Sequence, residues 1–266
     1  MPAPENPPMS TPFQRIGLIG KHGAPAVRAT LQQLCSFLKD RDRDVILEET
    51  TARLLDGETL PSAPEIEMPA HSDLVIVVGG DGTLLHAARA LAEQDTPLLG
   101  INLGRLGFLA DISPKEMLPR LEQILSGNYE EEERFLLRAS MDDETRQNGH
   151  IRAFNDVVLH KWNIARMIEF ETYIDGKLVN DQRSDGLIVS TPTGSTAYAL
   201  SGGGPLLAPS LNAMLLVPIC PHTLSNRPIV VDGDSEIEIH LAREHAESVQ
   251  LTCDGQVTLP VMEGET

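Results

Sequence analysis

Up to about residue 126 the apolar positions alternate between two rhythms. Short aliphatic runs, Ile16-Gly-Leu-Ile-Gly20, Arg43-Asp-Val-Ile-Leu-Glu48, Leu74-Val-Ile-Val-Val78 and Pro97-Leu-Leu-Gly-Ile-Asn102, predict strands, the third buried on both faces. Between them apolar residues recur at steps of three and four. Val27, Leu31, Leu34 and Leu38 predict one helix, and Leu84, Ala88 and Leu91 another. Residues 50–57 predict a short helix, and the proline- and acid-bearing stretch from Asp56 to Ala70 predicts a loop. Ser113 is placed to cap a helix from Pro114 to Ser126, with Pro114 suited to its first turn. Strands alternating with helices imply a parallel sheet with right-handed crossovers.

The rhythm changes at Gly127-Asn-Tyr-Glu-Glu-Glu-Glu133, after which helical spacing nearly vanishes. Phe135 to Met141, Ile151 to His160, Met167 to Ile174, Lys177 to Val179 and Leu187 to Thr191 predict short strands. Met214 to Ile219, Pro228 to Val231, Glu236 to Leu241, Ser248 to Cys253 and Gln256 to Leu259 continue the series. Asp175-Gly176 and Asp254-Gly255 supply hairpin turns, and one helix follows Thr193-Gly-Ser-Thr196. The expected architecture is an N-terminal α/β parallel-sheet domain with a C-terminal antiparallel β-sandwich domain. Residues 1–14 are expected to form a disordered tail, residues 15–127 the first domain and residues 128–266 the second.

Composition narrows the function. The 266 residues carry 39 acids against 21 bases, a net charge of −18, which disfavours nucleic acid and anionic membranes as partners. No apolar run reaches the roughly 18 residues of a membrane span, and the N-terminus lacks the basic and apolar regions of a signal peptide. Three cysteines without CxxC spacing fit a reducing cytoplasm. There is no Cys/His cluster for zinc and no G-x-S-x-G nucleophile elbow.

Gly79-Gly-Asp-Gly82 lies between the third predicted strand and a helix that Thr83 is placed to cap. Such a turn suits phosphate, because glycine backbone lets phosphate approach and a helix N-terminus attracts it. Gly79, Gly80, Gly82 and Thr83 therefore form a candidate phosphate loop. Asp81 within it would repel phosphate unless it takes a hydroxyl proton or meets a metal, and both fit phosphoryl transfer. Its plain alternative is a turn residue bonding its own backbone. A second loop, Ser190-Thr-Pro-Thr-Gly-Ser-Thr-Ala-Tyr198, packs five serine and threonine hydroxyls at a strand end, where hydroxyls and amides could cradle an anion or a ribose. Asn155 and Asp156 point to opposite faces of a strand, and a solvated polar pair is their plain alternative. Arg183 and Asp185 are a charge pair at short range, which an ordinary surface ion pair would equally explain.

These motifs resemble those of the NAD kinase family. The match runs through Gly79-Gly-Asp-Gly82, Gly100-Ile-Asn102, Leu106-Gly-Phe-Leu109, Asn155-Asp156, Arg183-Ser-Asp-Gly186, Thr191-Pro-Thr-Gly-Ser-Thr-Ala-Tyr198, Ser201 and Pro221-His222. Order and spacing hold from about Arg15 to Glu265. The long hydroxyl-rich stretch is specific, whereas the glycine-aspartate turn is shared with diacylglycerol and sphingosine kinases and phosphofructokinases.

The resemblance implies a cytoplasmic kinase that transfers the γ-phosphate of ATP to the 2′-hydroxyl of the adenosine ribose of NAD, making NADP. It implies Asp81 as the catalytic base at a cleft between the two domains. Gly82, Phe108, Asn155, Asp156, Arg183, Asp185, Thr196, Ala197, Tyr198 and Ser201 would bind the dinucleotide, and Cys220 and His222 would reach a neighbouring subunit's ligand. Arg183 would favour oxidised over reduced NAD or anchor a phosphate. Mg²⁺ or another divalent cation would accompany ATP, with its protein ligands unassigned, and a homodimer or homotetramer is expected. Two features depart from the pattern: Asp156 stands where most members have glutamate, and the family usually continues some thirty residues past Glu263-Gly-Glu-Thr266. The rival readings are a lipid kinase, which the acidic charge disfavours, and a nucleotide-binding sensor without turnover.

Overall fold

The computed structural model describes residues 13–23, 25–55, 59–104, 107–110, 112–141, 150–162, 167–222, 226–242 and 249–261. Most of the expected N-terminal tail, the start of the expected 56–70 loop, Arg105 and Leu106 of the second glycine turn, and the final residues 262–266 lie outside this set. The chain divides into two compact units after Glu131.

The first unit contains β1 (Arg15–Gly20), α1 (Pro25–Lys39), β2 (Asp44–Glu48), α2 (Glu49–Ala52), β3 (Ser62–Ala63), α3 (Met68–His71), β4 (Leu74–Gly79), α4 (Asp81–Ala90), β5 (Leu98–Asn102) and α5 (Met117–Leu125). Its five strands form one sheet in the order β3-β2-β1-β4-β5, all parallel as expected. Every residue of β4 is buried, because the sheet is covered on both faces. One face meets α1 and α5 through Leu31, Leu34, Leu38, Met117 and Leu121, and the other meets α4 through Ala87 and Leu91.

Several element ends differ from the expected ones. The helix expected over 50–57 stops at Ala52 and begins at Glu49, because Glu48 caps it by accepting from the N–H groups of Thr50 (2.7 Å) and Thr51 (2.8 Å). The expected loop before β4 contains β3, a 3-10 turn over Glu65–Glu67 and α3, held down by fully buried Met68. The helix expected from Pro114 starts at Met117, and Ser113 Oγ donates instead to the Glu116 carboxylate (2.8 Å). Gln14, expected in the tail, accepts order from Asp73, whose carboxylate takes its N–H at 3.1 Å.

The second unit contains β6 (Leu137–Ala139), β7 (Ile151–Ala153), β8 (Asp156–Lys161), β9 (Ile168–Ile174), β10 (Lys177–Ser184), β11 (Gly186–Ser190), a 3-10 turn (Thr193–Thr196), α6 (Tyr198–Ser201), β12 (Ala213–Ile219), β13 (Ile229–Asp232), β14 (Ile237–Leu241), β15 (Val249–Cys253) and β16 (Val257–Pro260). A six-stranded antiparallel sheet, β13-β12-β11-β8-β15-β16, packs against a three-stranded one, β10-β9-β14. Val157, Leu159, Leu187, Val189 and Leu251 of the first sheet share a core with Ile168 and Phe170 of the second. The hairpin turns at Asp175-Gly176 (φ 50° and 69°) and Asp254-Gly255 (φ 52° and 62°) have both central residues left-handed, the geometry that matches strand twist.

Here too there are differences. The single strand expected over Ile151 to His160 is broken at Phe154 and Asn155, and the strand expected to end at Val179 runs on to Ser184. The helix expected after Thr196 is one turn long. Among the described residues no helix is long and apolar enough to cross a membrane.

Candidate functional site

In the first unit the site is built at the carboxyl ends of the parallel strands. β4 ends at Gly79, Gly80 is extended, and α4 starts at Asp81 with Gly80 at its N-cap and no side-chain cap. Thr83 is therefore inside the helix and is not its cap. Its side chain fills the space over Gly79 where a Cβ would sit.

Asp81 turns back toward the loop after β5. Its carboxylate accepts the backbone N–H of Phe108 at 3.0 Å and of Ala110 at 3.2 Å. One acceptor direction on each oxygen is thus used, and others stay open for a hydroxyl proton. Buried Asn102 shapes the loop that donates these bonds: its amide donates to Ala110 O (2.9 Å), and its oxygen accepts from Gly104 N (2.8 Å). A Cβ on Gly107 would lie 2.2–2.4 Å from the Asp81 carboxyl atoms, so only glycine fits there. Phe108 presents an exposed ring.

Beside the turn lies a cavity of about 480 Å³, lined by Gly80, Gly82 and Thr83 together with Lys21, His22, Glu48, Thr50, Glu65 and His86. Lys21 and His22 follow β1, which pairs with β4 so that Gly20 stands beside Val78. Both are remote from the turn in sequence, since this pairing spans almost sixty residues. Glu48 adds little free charge-binding capacity. Burial would raise its pKa, but hydrogen bonds from Thr50 and Thr51 outweigh that and hold it below the ordinary value. His86 pairs with Glu65 at 3.0 Å.

In the second unit the hydroxyl-rich loop uses its hydroxyls on backbone carbonyls, its own and that of Phe154. Thr191 Oγ1 donates to Phe154 O (2.7 Å), Ser195 Oγ to Pro192 O (2.6 Å) and Thr196 Oγ1 to Thr193 O (3.1 Å). The expected cradle of hydroxyls is instead a rigid loop that presents half-buried Thr196 and Ala197 and exposed Tyr198 and Ser201. Next to it Asn155 is half-buried, with an Oδ1 that has no hydrogen-bond partner, and Asp156 is buried. Burial, and then the charge of Asp254, push the Asp156 carboxyl up to about 7.

The other candidates sit at the far end of the same strands. Asp156 pairs with Ser190, whereas Gly186 pairs with His160, four residues along β8, or roughly 13 Å at strand rise. There Asp185 is paired with Lys161 at 2.5 Å and exposed Arg183 with Glu169 at 3.4 Å. The short-range Arg183–Asp185 pair is thus replaced by two pairs to other strands. Exposed Cys220 has φ 47°, and exposed His222 donates its N–H to Arg183 O at 2.9 Å. Lys161 and Asp254 were not singled out in the sequence, because their partners lie on other strands.

Residues 16–129 match the model of the ATP-NAD kinase N-terminal domain and residues 154–266 that of the ATP-NAD kinase C-terminal domain. The chain belongs to the NAD kinase family. It is 52% identical over 254 residues to an NAD kinase of Chromohalobacter salexigens, covering 96% of this chain and 87% of that protein. With an NAD kinase of Nitrosococcus oceani it shares 49% identity over 257 residues, covering 97% and 88%. Among solved structures it superposes on yeast NADH kinase complexed with NADH with a TM-score of 0.86 at 28% identity, covering 98% of this chain and 83% of that one. An NAD kinase from Archaeoglobus fulgidus in complex with ATP matches with a TM-score of 0.74 at 29% identity, covering 94% and 88%. Both the parallel sheet and the antiparallel sheets thus belong to a family of kinases, which sets aside the lipid-kinase reading.

Gly107→Ala is expected to displace the Asp81 carboxylate and lower NAD kinase activity ten-fold or more. Gly104→Ala, whose Cβ would come no closer than 3.5 Å to Asn102 Oδ1, is its control and is expected to stay near wild type. Equal activity of the two variants would show that the carboxylate's place is unimportant. A second test concerns Asp156. The folded state keeps its proton up to about pH 7, and the unfolded chain releases it near 3.8. Stability is therefore full below the lower value and falls as pH rises through the upper one, by at most about 4 kcal/mol. Asp156→Asn should raise the melting temperature at pH 8 more than at pH 5, and a pH-independent difference would mean that Asp156 is ionised at neutral pH.

Proposed function

We propose that this NAD kinase family member transfers the γ-phosphate of ATP to the 2′-hydroxyl of the adenosine ribose of NAD, with Asp81 as the base. The supporting observation is the Asp81 carboxylate, oriented by two backbone amides at a helix start that borders a cavity with basic side chains. The 2′-oxygen attacks the γ-phosphorus and its proton passes to Asp81. The bond from the γ-phosphorus to the bridging oxygen breaks, and ADP leaves with that electron pair. The first-turn amides of α4, with Lys21, His22 and His86, suit the triphosphate. Asn155, Asp156, Thr196, Ala197, Tyr198 and Ser201 hold the dinucleotide at one end of β8, and Arg183, Asp185, Cys220 and His222 serve at the other.

Among the described residues no group of three or more His, Cys, Asp or Glu side chains could hold a metal ion. A divalent cation bound to ATP as substrate would neutralise phosphate charge that Asp81 would otherwise oppose. Three cysteines outside any disulfide, one of them exposed, fit a cytoplasmic setting.

The test is NADP formation from NAD and ATP. Asp81→Asn is expected to bind NAD within about three-fold of wild type and to lose on the order of a thousand-fold in kcat; unchanged turnover would remove Asp81 as the base. The separation of the candidate residues into two groups also supports a site completed by a second copy. Light scattering should then give two or four times the 29.0 kDa of one chain, and a monomeric active enzyme would overturn that part of the reading.

A further inference from the structure

Asp254 opens the three-residue turn between β15 and β16, a place that ordinarily needs only an acid or amide tolerant of positive φ. Its side chain does more than tolerate the turn. Oδ2 accepts the N–H of Phe154 at 2.9 Å, and Oδ1 accepts those of Asn155 at 2.7 Å and Asp156 at 3.1 Å. The backbone adds a fourth bond, from Asp254 N to Asp156 O at 2.9 Å. One carboxylate thus binds three successive amides about a hundred residues away in sequence.

The carbonyls of the same segment are held from another loop. Thr191 Oγ1 donates to Phe154 O at 2.7 Å, while Thr191 N (2.9 Å) and Ser190 Oγ (3.2 Å) donate to Asn155 O. A Cβ on Gly194 would stand 2.1 Å from Asn155 O, so the loop presses directly on this peptide. Donors and acceptors of Phe154–Asn155 are therefore both committed, and the break between β7 and β8 is a fixed conformation. It is also where the Asn155 Oδ1 is left buried without a partner. A buried acceptor of this kind is unfavourable unless something donates to it.

We infer that Asp254 is a positioning residue of the dinucleotide site: by clamping three amides it aims the side chains of Asn155 and Asp156 at the bound NAD. This rests on the assignment of Asn155 and Asp156 to that site. The carboxylate acts through the backbone and does not touch the reacting atoms.

The test compares Asp254→Ala and Asp254→Asn with wild type by calorimetric NAD binding without ATP, by the KM values for NAD and ATP, and by melting temperature. Asp254→Ala is expected to weaken NAD binding ten-fold or more, with the KM for ATP changed less than two-fold. Asp254→Asn keeps one acceptor oxygen and should recover part of the loss. If the alanine variant does not fold, the near-isosteric asparagine variant carries the same comparison. NAD affinity within two-fold of wild type in a folded variant would overturn the inference, as would equal losses for NAD and ATP. A wild type that binds NAD but makes no NADP would overturn the kinase reading instead, and the binding comparison would still decide Asp254.

Discussion

A backbone N–H at the end of a strand or in a turn must find an acceptor, and in this chain carboxylates repeatedly supply it. Glu48 takes the amides that open α2, Asp73 those of Gln14 and Arg15, and Asp175 that of Glu236. The same solution recurs at the two candidate sites, where Asp81 holds the loop after β5 and Asp254 holds the segment before β8. Glu48 acts locally, on amides two and three residues on, whereas each of the other bonds ties two points far apart in sequence. Loops that would otherwise vary in shape become fixed frames, and part of the acidic surplus has structural work in the interior of turns.

Parallel pairing adds what these bonds do not. In the sheet β3-β2-β1-β4-β5 every strand ends on the same edge. The turns after β1, β2 and β4 consequently meet around one cavity, and Lys21, Thr50 and Gly80 become neighbours although they come from three segments. That edge is where ligands of open α/β sheets bind. The β1 turn brings Lys21 and His22 to the cavity beside the Asp81 turn.

The antiparallel unit works by a different division of labour. Its hydroxyl-rich loop uses its hydroxyls on carbonyls of its own and of the segment before β8, so the two are tied together. A ribose hydroxyl is a weak nucleophile, so an oriented base and an oriented acceptor matter more than additional binding strength.

Sequence alone determined the two-part architecture, the run of strands, both Asp-Gly hairpins and the glycine-aspartate turn, because each follows from short-range periodicity or local backbone preference. It also marked Asn155, Asp156 and the loop from Ser190 to Tyr198 through their specific order of residue types. Tertiary structure decided the rest. Thr83 looked like a cap because hydroxyl residues favour that place, but the space over Gly79 draws its side chain into the helix. The strand over Ile151 to His160 looked continuous because its residues all suit β structure, yet Asp254 claims the amides at its middle. Lys21 and Lys161 gave no local signal, and Asp254 gave only that of a turn residue, since their further roles depend on partners that only strand pairing brings within reach.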